Sequence, residues 1–142
     1  MTETGSRLEI AVLAGTVYAG CVFGVAFVTG ALRTLLLAMF PGMTPAWAVL
    51  IELPFILFAA WAICGWAIRS HKVSNAIIVR TLMGLVALAL IVGTEAALTS
   101  TITGLGMDGV LASYQRPEVL LGLAGQIVFA AFPLVRLRNT DA

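Results

Sequence analysis

Four charged residues stand against the apolar trend of this chain and are its best candidates for chemistry. Arg33, Glu52 and Glu95 lie in or at the edge of long apolar segments, and Arg116 precedes another. An ionised side chain surrounded by hydrocarbon costs several kcal/mol unless it is paired or reached by water. These residues are therefore expected to form either ion pairs between helices or a polar pocket that handles a solute.

Four apolar segments position these charges, and each exceeds or approaches the roughly 20 residues that a helix needs to cross a bilayer. The predicted helices cover residues 10–32, 46–68, 77–98 and 119–135, and an outer loop covers residues 99–118. Thr44 and Pro45 are typical of a helix N-cap and first helical position. The sequence thus predicts an all-α fold, a single-domain bundle of four transmembrane helices.

The composition excludes an ordinary soluble protein. The 142 residues include 8 Lys and Arg, 7 Asp and Glu, and give a net charge of +1, with a mean hydropathy of +1.05. A soluble surface needs roughly a quarter of its residues charged, and nucleic-acid binding needs a basic field that this chain lacks. The expected partners are the lipid bilayer and other transmembrane helices, from a larger complex or from further copies of this chain.

The basic residues predict the orientation of the bundle. With four spans, the N-terminus, the connection between the second and third helices and the C-terminus share one side. That side holds most of the basic residues: Arg7, Arg69, Lys72, Arg80, Arg136 and Arg138. Lys and Arg are enriched at cytoplasmic ends, so both termini are predicted to be cytoplasmic, in a bacterial inner membrane. Arg80 is expected to extend towards the cytoplasmic headgroups.

Small residues in the helices predict close packing, which they permit in lipid. Thr16, Gly20 and Gly24 form one small face of the first helix, and Gly15 belongs to a second. Two such faces predict that the first helix packs on two sides, at the centre of the bundle. Gly84 lies on a small face of the third helix.

The sequence leaves open where some helices end and whether the second helix is straight. Pro54 cannot donate a backbone hydrogen bond, so it is predicted to kink the second helix or to free a carbonyl. Apolar residues continue over 34–40, so the first helix either runs on or places this part flat at the interface. The polar tail after the fourth helix, residues 136–142, is expected to fray.

The charged residues allow two interpretations. In the first, Arg33 pairs with Glu52 across the short connection between the first two helices, and Glu95 pairs with Arg116 or finds water. In the second, Arg33, Glu52 and Glu95 line a pocket open to the outside. Such a pocket would bind a cation or a basic compound, hold an anionic lipid or substrate, or relay protons.

No catalytic role and no cofactor is expected. The single histidine, His71, is predicted at the opposite side from most of the acids, so a Ser-His-Asp arrangement cannot assemble. Cys21 and Cys64 lie in different apolar segments and are expected to be buried apolar side chains. The chain has no phosphate-loop or dinucleotide fingerprint, and one histidine cannot provide a bis-histidine haem site.

The chain resembles an uncharacterised group of bacterial four-helix membrane proteins. Their outline is a glycine-rich first helix, a Leu-Arg pair, a Pro-Gly turn and an apolar helix opened by Glu-x-Pro. The matching positions are Gly20, Gly24, Leu32-Arg33, Pro41-Gly42 and Glu52-Leu53-Pro54. The resemblance covers mainly residues 15–66 and implies a four-span membrane protein without implying an activity.

The expected function is that of an accessory or assembly subunit of a larger membrane complex, for example an energy-transducing one. The loops are too short for a soluble catalytic domain, and the first helix offers two packing faces. The alternative is a small, self-associating transporter or channel that uses Glu52 and Glu95 as its working carboxylates.

Overall fold

The computed structural model describes residues 3–137 and contains, in that range, five helices and no strand. The helices are α1 (Glu3–Met39), α2 (Pro45–Ser70), α3 (Ile77–Thr103), α4 (Gly106–Ser113) and α5 (Pro117–Val135). All except α4 are long and apolar enough to cross a membrane. The prediction of an all-α chain with four long apolar helices is confirmed. Of the tail predicted to fray, residues 138–142 lie outside the described residues, and residues 136 and 137 lie within them.

α1 is longer than the predicted segment 10–32. Its 37 residues include the apolar run up to Met39, so this run continues the helix. Pro41 ends it, because the residue before a proline avoids helical geometry and proline has no N–H to donate. At 1.5 Å per residue α1 extends about 55 Å, well beyond the roughly 30 Å of a bilayer's hydrocarbon core.

The predicted outer loop, residues 99–118, is instead mostly helical. α3 continues to Thr103 and ends at Gly104, whose left-handed φ of 66° is a common helix-ending conformation. α4 follows, with Asp108 in its first turn, where the helix dipole favours a negative charge. The glycines of this segment therefore terminate and start helices.

α2 runs through Pro54 without a break. Thr44 Oγ1 accepts a hydrogen bond from the Trp47 backbone N at 3.4 Å, which caps the first turn. The helix then continues to Ser70. Because proline has no N–H, the Leu50 carbonyl loses its usual helical donor. Pro54 thus removes one backbone hydrogen bond next to Glu52 without ending the helix.

α1 and α5 each pack against both α2 and α3, while α4 lies against α3. Tyr18 of α1 is fully buried in the core of the bundle. Its hydroxyl donates to the Phe129 carbonyl of α5 at 3.0 Å, and the two rings lie 4.8 Å apart between centroids. This contact connects α1 to α5 through the core and satisfies a hydroxyl that would otherwise be costly to bury.

The helix backbones approach most closely at two of the glycines predicted to pack. A Cβ on Gly15 would lie 2.7 Å from the Met83 carbonyl oxygen of α3. A Cβ on Gly84 would overlap the Ala130 carbonyl oxygen of α5. Only a residue without a side chain permits these approaches, so Gly15 and Gly84 determine how closely α3 packs against its neighbours.

The other small face of α1 is not covered by the described chain. Thr16, Gly20 and Gly24 are exposed, and a Cβ on either glycine would have no neighbour within 4 Å. Cys21, expected to be buried, is also exposed, whereas Cys64 is buried. Within residues 3–137, α1 therefore packs on one side and lies at the edge of the bundle, not at its centre.

Gly84→Ala is expected to destabilise the bundle, because the added methyl group meets the Ala130 carbonyl of α5. Overpacking of this kind costs about 1–3 kcal/mol. Gly93→Ala on the same helix is the matched control, since its Cβ would have no neighbour within 4 Å and alanine favours helix. Thermal unfolding in detergent compares the two variants, and equal stabilities would contradict the close packing of α3 on α5.

Candidate functional site

Polar side chains from four helices meet near one end of the bundle. This end, here called the polar end, comprises the C-termini of α1 and α3 and the N-termini of α2 and α5. Measured along their helices at 1.5 Å per residue, Arg33, Glu52, Glu95 and Gln126 all lie about 9–14 Å from it. The fold thus brings Arg33, Glu52 and Glu95 to one level and adds Gln126 from α5.

Arg33 and Glu52 form an ion pair between α1 and α2. Arg33 Nη1 lies 2.7 Å from Glu52 Oε2, and the side chains are 37% and 9% exposed. The five-residue connection between the helices makes them antiparallel neighbours, so residues at equal depth face each other. Glu52 is too buried to be solvated by water, and the guanidinium supplies its neutralising charge.

Glu95, expected to pair with Arg116 or to find water, is exposed and has Gln126 as its side-chain partner. The Gln126 Nε2 donates to Glu95 Oε2 at 2.5 Å, whereas Arg116 lies 3.8 Å from Glu118. Arg116 precedes the first residue of α5, about 15 Å along the helix from Gln126. It therefore belongs to the rim of the polar end and cannot take the role predicted for it beside Glu95.

Two connected cavities surround these side chains. The deep cavity, of about 150 Å³, is lined by Arg33, Glu52, Glu95 and Gln126 and by apolar side chains of α1, α2, α3 and α5. The outer groove, of about 500 Å³, shares Arg33, Glu95 and Gln126 with it and extends to Tyr114, Arg116 and Glu118. Gly122 lines both cavities and adds no side chain to either.

The charges of the deep cavity do not cancel. Arg33 neutralises Glu52, so the Glu95 carboxylate is left with a neutral amide as its hydrogen-bond donor. Glu95 is also exposed and accessible from both cavities. The site thus carries one uncompensated negative charge when its carboxylates are ionised, next to apolar walls.

Arg80, predicted to extend towards the headgroups, is buried at the opposite end of the bundle. It is 4% exposed and donates to the Ser74 carbonyl at 3.1 Å and to Asn75 Oδ1 at 3.4 Å. The connection between α2 and α3 supplies acceptors for Nε and Nη2, whereas Nη1 is buried without a hydrogen-bond partner within residues 3–137. The prediction is wrong because this connection covers the guanidinium and leaves the side chain buried.

Two contacts were not predicted, one at the polar end and one at the opposite end of the bundle. Gln126 is the one polar side chain between Val119 and Val135, a signal that could have identified it. Arg136, assigned to the tail, donates from Nη2 to the Trp61 carbonyl at 2.7 Å, and its guanidinium lies 4.1 Å from the Trp61 ring centroid. Nothing in the local sequence indicates that contact, which depends on how α5 packs against α2.

The part of the chain that the structure describes contains no candidate metal site. Within residues 3–137, no three His, Cys, Asp or Glu side chains converge. His71, at the end opposite the polar end, has its Nδ1 3.0 Å from the Ala67 carbonyl oxygen. What the polar end can do is bind: it combines a carboxylate, an amide, a fixed ion pair and hydrocarbon walls.

Glu52→Gln is expected to lower the free energy of unfolding by about 1–3 kcal/mol, less than for a fully buried pair because Arg33 is partly exposed. Exchanging the charges in Arg33→Glu/Glu52→Arg should recover part of the loss. Glu118→Gln, which removes the looser pair with Arg116, should cost less than about 1 kcal/mol. Thermal unfolding measures all three, and equal effects of the two Gln variants would show that the Arg33–Glu52 pair is not stabilising.

Comparison with known proteins adds no relative. The chain matches no protein-family model, no curated protein and no solved structure. The features that bear on its function are its own: the Arg33–Glu52 pair, the Glu95 carboxylate beside the two cavities, and the uncovered face of α1.

Proposed function

We propose that this chain is a multi-pass protein of a bacterial inner membrane, with both termini in the cytoplasm. Four helices of sufficient length and hydropathy support insertion. The basic residues around the termini and the connection between α2 and α3 support the orientation, because such residues are retained on the cytoplasmic side. The polar end would then face the outside of the cell.

Within that membrane, the proposed role is that of an accessory or assembly subunit of a larger complex. The observation that supports it best is the uncovered small-residue face of α1, defined by Thr16, Gly20 and Gly24. Beside it a groove of about 210 Å³ runs between α1 and α3, lined also by Phe23, Leu90 and Thr94. In lipid, where helices gain little from apolar burial, such faces favour association by letting backbones approach.

The hydroxyl groups on this face fit the same role. Thr16 donates to the Val12 carbonyl at 2.9 Å, and Thr94 donates to the Leu90 carbonyl at 2.7 Å. Both hydroxyls are satisfied within their own helices, so the groove contains no polar group that lipid or a partner helix must compensate. A partner helix can therefore pack here through van der Waals contact alone.

Extraction of the native membrane in a mild detergent, followed by a native gel and mass spectrometry, tests this role. The tagged chain should migrate with stoichiometric companions, and Gly20→Leu/Gly24→Leu should release them by filling the contact face. Gly93→Leu is the control, because Gly93 is equally exposed and lines no cavity. Migration of the unaltered chain as a homo-oligomer without companions would exclude the subunit role.

A small homo-oligomeric transporter or channel is the second candidate, favoured by the cavities that lead from the rim of the polar end to Glu95 and Glu52. In proteoliposomes, Glu95→Gln should then abolish solute-coupled proton flux while leaving the oligomer intact. Glu9→Gln, which lines neither cavity, should retain flux. Flux unaffected by Glu95→Gln would exclude this candidate.

A further inference from the structure

The deep cavity at the polar end has features that select a ligand by charge. An anion entering it would approach the carboxylates of Glu52 and Glu95, and the guanidinium of Arg33 is already held at 2.7 Å by Glu52. A cation would approach Glu95, whose hydrogen bond from Gln126 brings no positive charge. Because charges in a partly apolar site are weakly screened, this difference favours a single positive charge.

The hydrogen-bonding groups narrow the kind of cation. Glu95 has a second carboxylate oxygen, and Gln126, which donates through Nε2, has a carbonyl oxygen that can accept. An ammonium group, with three donors, matches two adjacent acceptors. A bare divalent ion needs about six or more oxygen ligands or retained waters, and the largely hydrocarbon lining supplies too few.

The walls of the deep cavity suit the rest of such a ligand. Ile56, Ile91 and Phe129 are among the apolar side chains that line it. Its volume of about 150 Å³ matches that of apolar protein cavities known to hold a ligand of about six carbon atoms.

We propose that the deep cavity binds a small primary alkylammonium ion, with its nitrogen at Glu95 and Gln126 and its alkyl chain among Ile56, Ile91 and Phe129. The outer groove is its path of entry, since the two cavities share Glu95 and Gln126. Binding of this ion is compatible both with a subunit and with a transporter. Gly20 and Gly24, on which the assembly proposal rests, do not line either cavity.

Saturation-transfer NMR on the purified full chain in deuterated detergent tests this site, with n-butylammonium as the probe and 1-butanol as its neutral counterpart of equal size. Butylammonium should bind at least about tenfold more tightly than 1-butanol, as expected for a hydrogen bond to a charged group. Glu95→Gln should reduce the affinity for butylammonium at least about tenfold. Glu9→Gln, an exposed carboxylate on α1 that lines neither cavity, should leave it unchanged.

Gly122→Leu provides a second test that keeps every charge in place. A Cβ at Gly122 would have no neighbour within 4 Å, and Gly122 lines both cavities. A leucine there should therefore obstruct the entry of butylammonium without unfolding the chain. Circular dichroism confirms that each variant is folded. Absence of butylammonium binding to the unaltered chain, equal binding of 1-butanol, or full binding by folded Glu95→Gln or Gly122→Leu would overturn the proposal. None of these outcomes depends on the native-gel result.

Discussion

The close approach of helix backbones at Gly15 and Gly84 is the constraint on which the rest of the bundle depends. Gly15 of α1 faces the Met83 carbonyl of α3, and Gly84 of α3 faces the Ala130 carbonyl of α5. No other residue type allows helices to approach so closely at these positions. Tyr18 lies less than one turn beyond Gly15 and donates to the Phe129 carbonyl of α5. A side chain at either glycine would force the helices apart, and a shift that broke the Tyr18 bond would leave a buried hydroxyl without its acceptor, which is costly in an apolar core.

Charged groups at the two ends of the bundle have different kinds of hydrogen-bond partner. Near the α2–α3 connection, Arg80 and Arg136 donate to backbone carbonyls, which helices and loops supply readily because a carbonyl oxygen accepts more than one hydrogen bond. Carboxylates have no such source, since the N–H groups within a helix are already used. Glu52 and Glu95 therefore depend on side-chain donors, and the sequence provides Arg33 and Gln126.

The face of α1 proposed for assembly and the cavity proposed for a ligand are separate parts of one small chain. Gly20 and Gly24 point away from the bundle, whereas Val22 and Arg33 of the same helix line the deep cavity. A partner helix on the outer face would leave the cavity and its groove open at the polar end. Association and ligand binding are thus compatible, and each can be altered without altering the other.

Much of the architecture follows from the sequence alone. Long apolar runs determine four helices, Thr44 and Pro45 the start of α2, and the short turn after α1 brings Arg33 opposite Glu52. These features depend on local chemistry, or on helices joined by a few residues, so they can be read without knowing the whole fold. The same reasoning placed the charges at one end of the bundle.

Only the tertiary structure decided which partners meet across distant segments. Glu95 of α3 contacts Gln126 and not Arg116. The alignment of α5 along α3 determines which residue of α5 lies at the level of Glu95. Gly15 packs inward and Gly20 outward because the rotation of α1 about its axis depends on contacts with two other helices. Apolar helices with small residues on several faces do not specify that rotation by themselves, since packing alone distinguishes one apolar face from another.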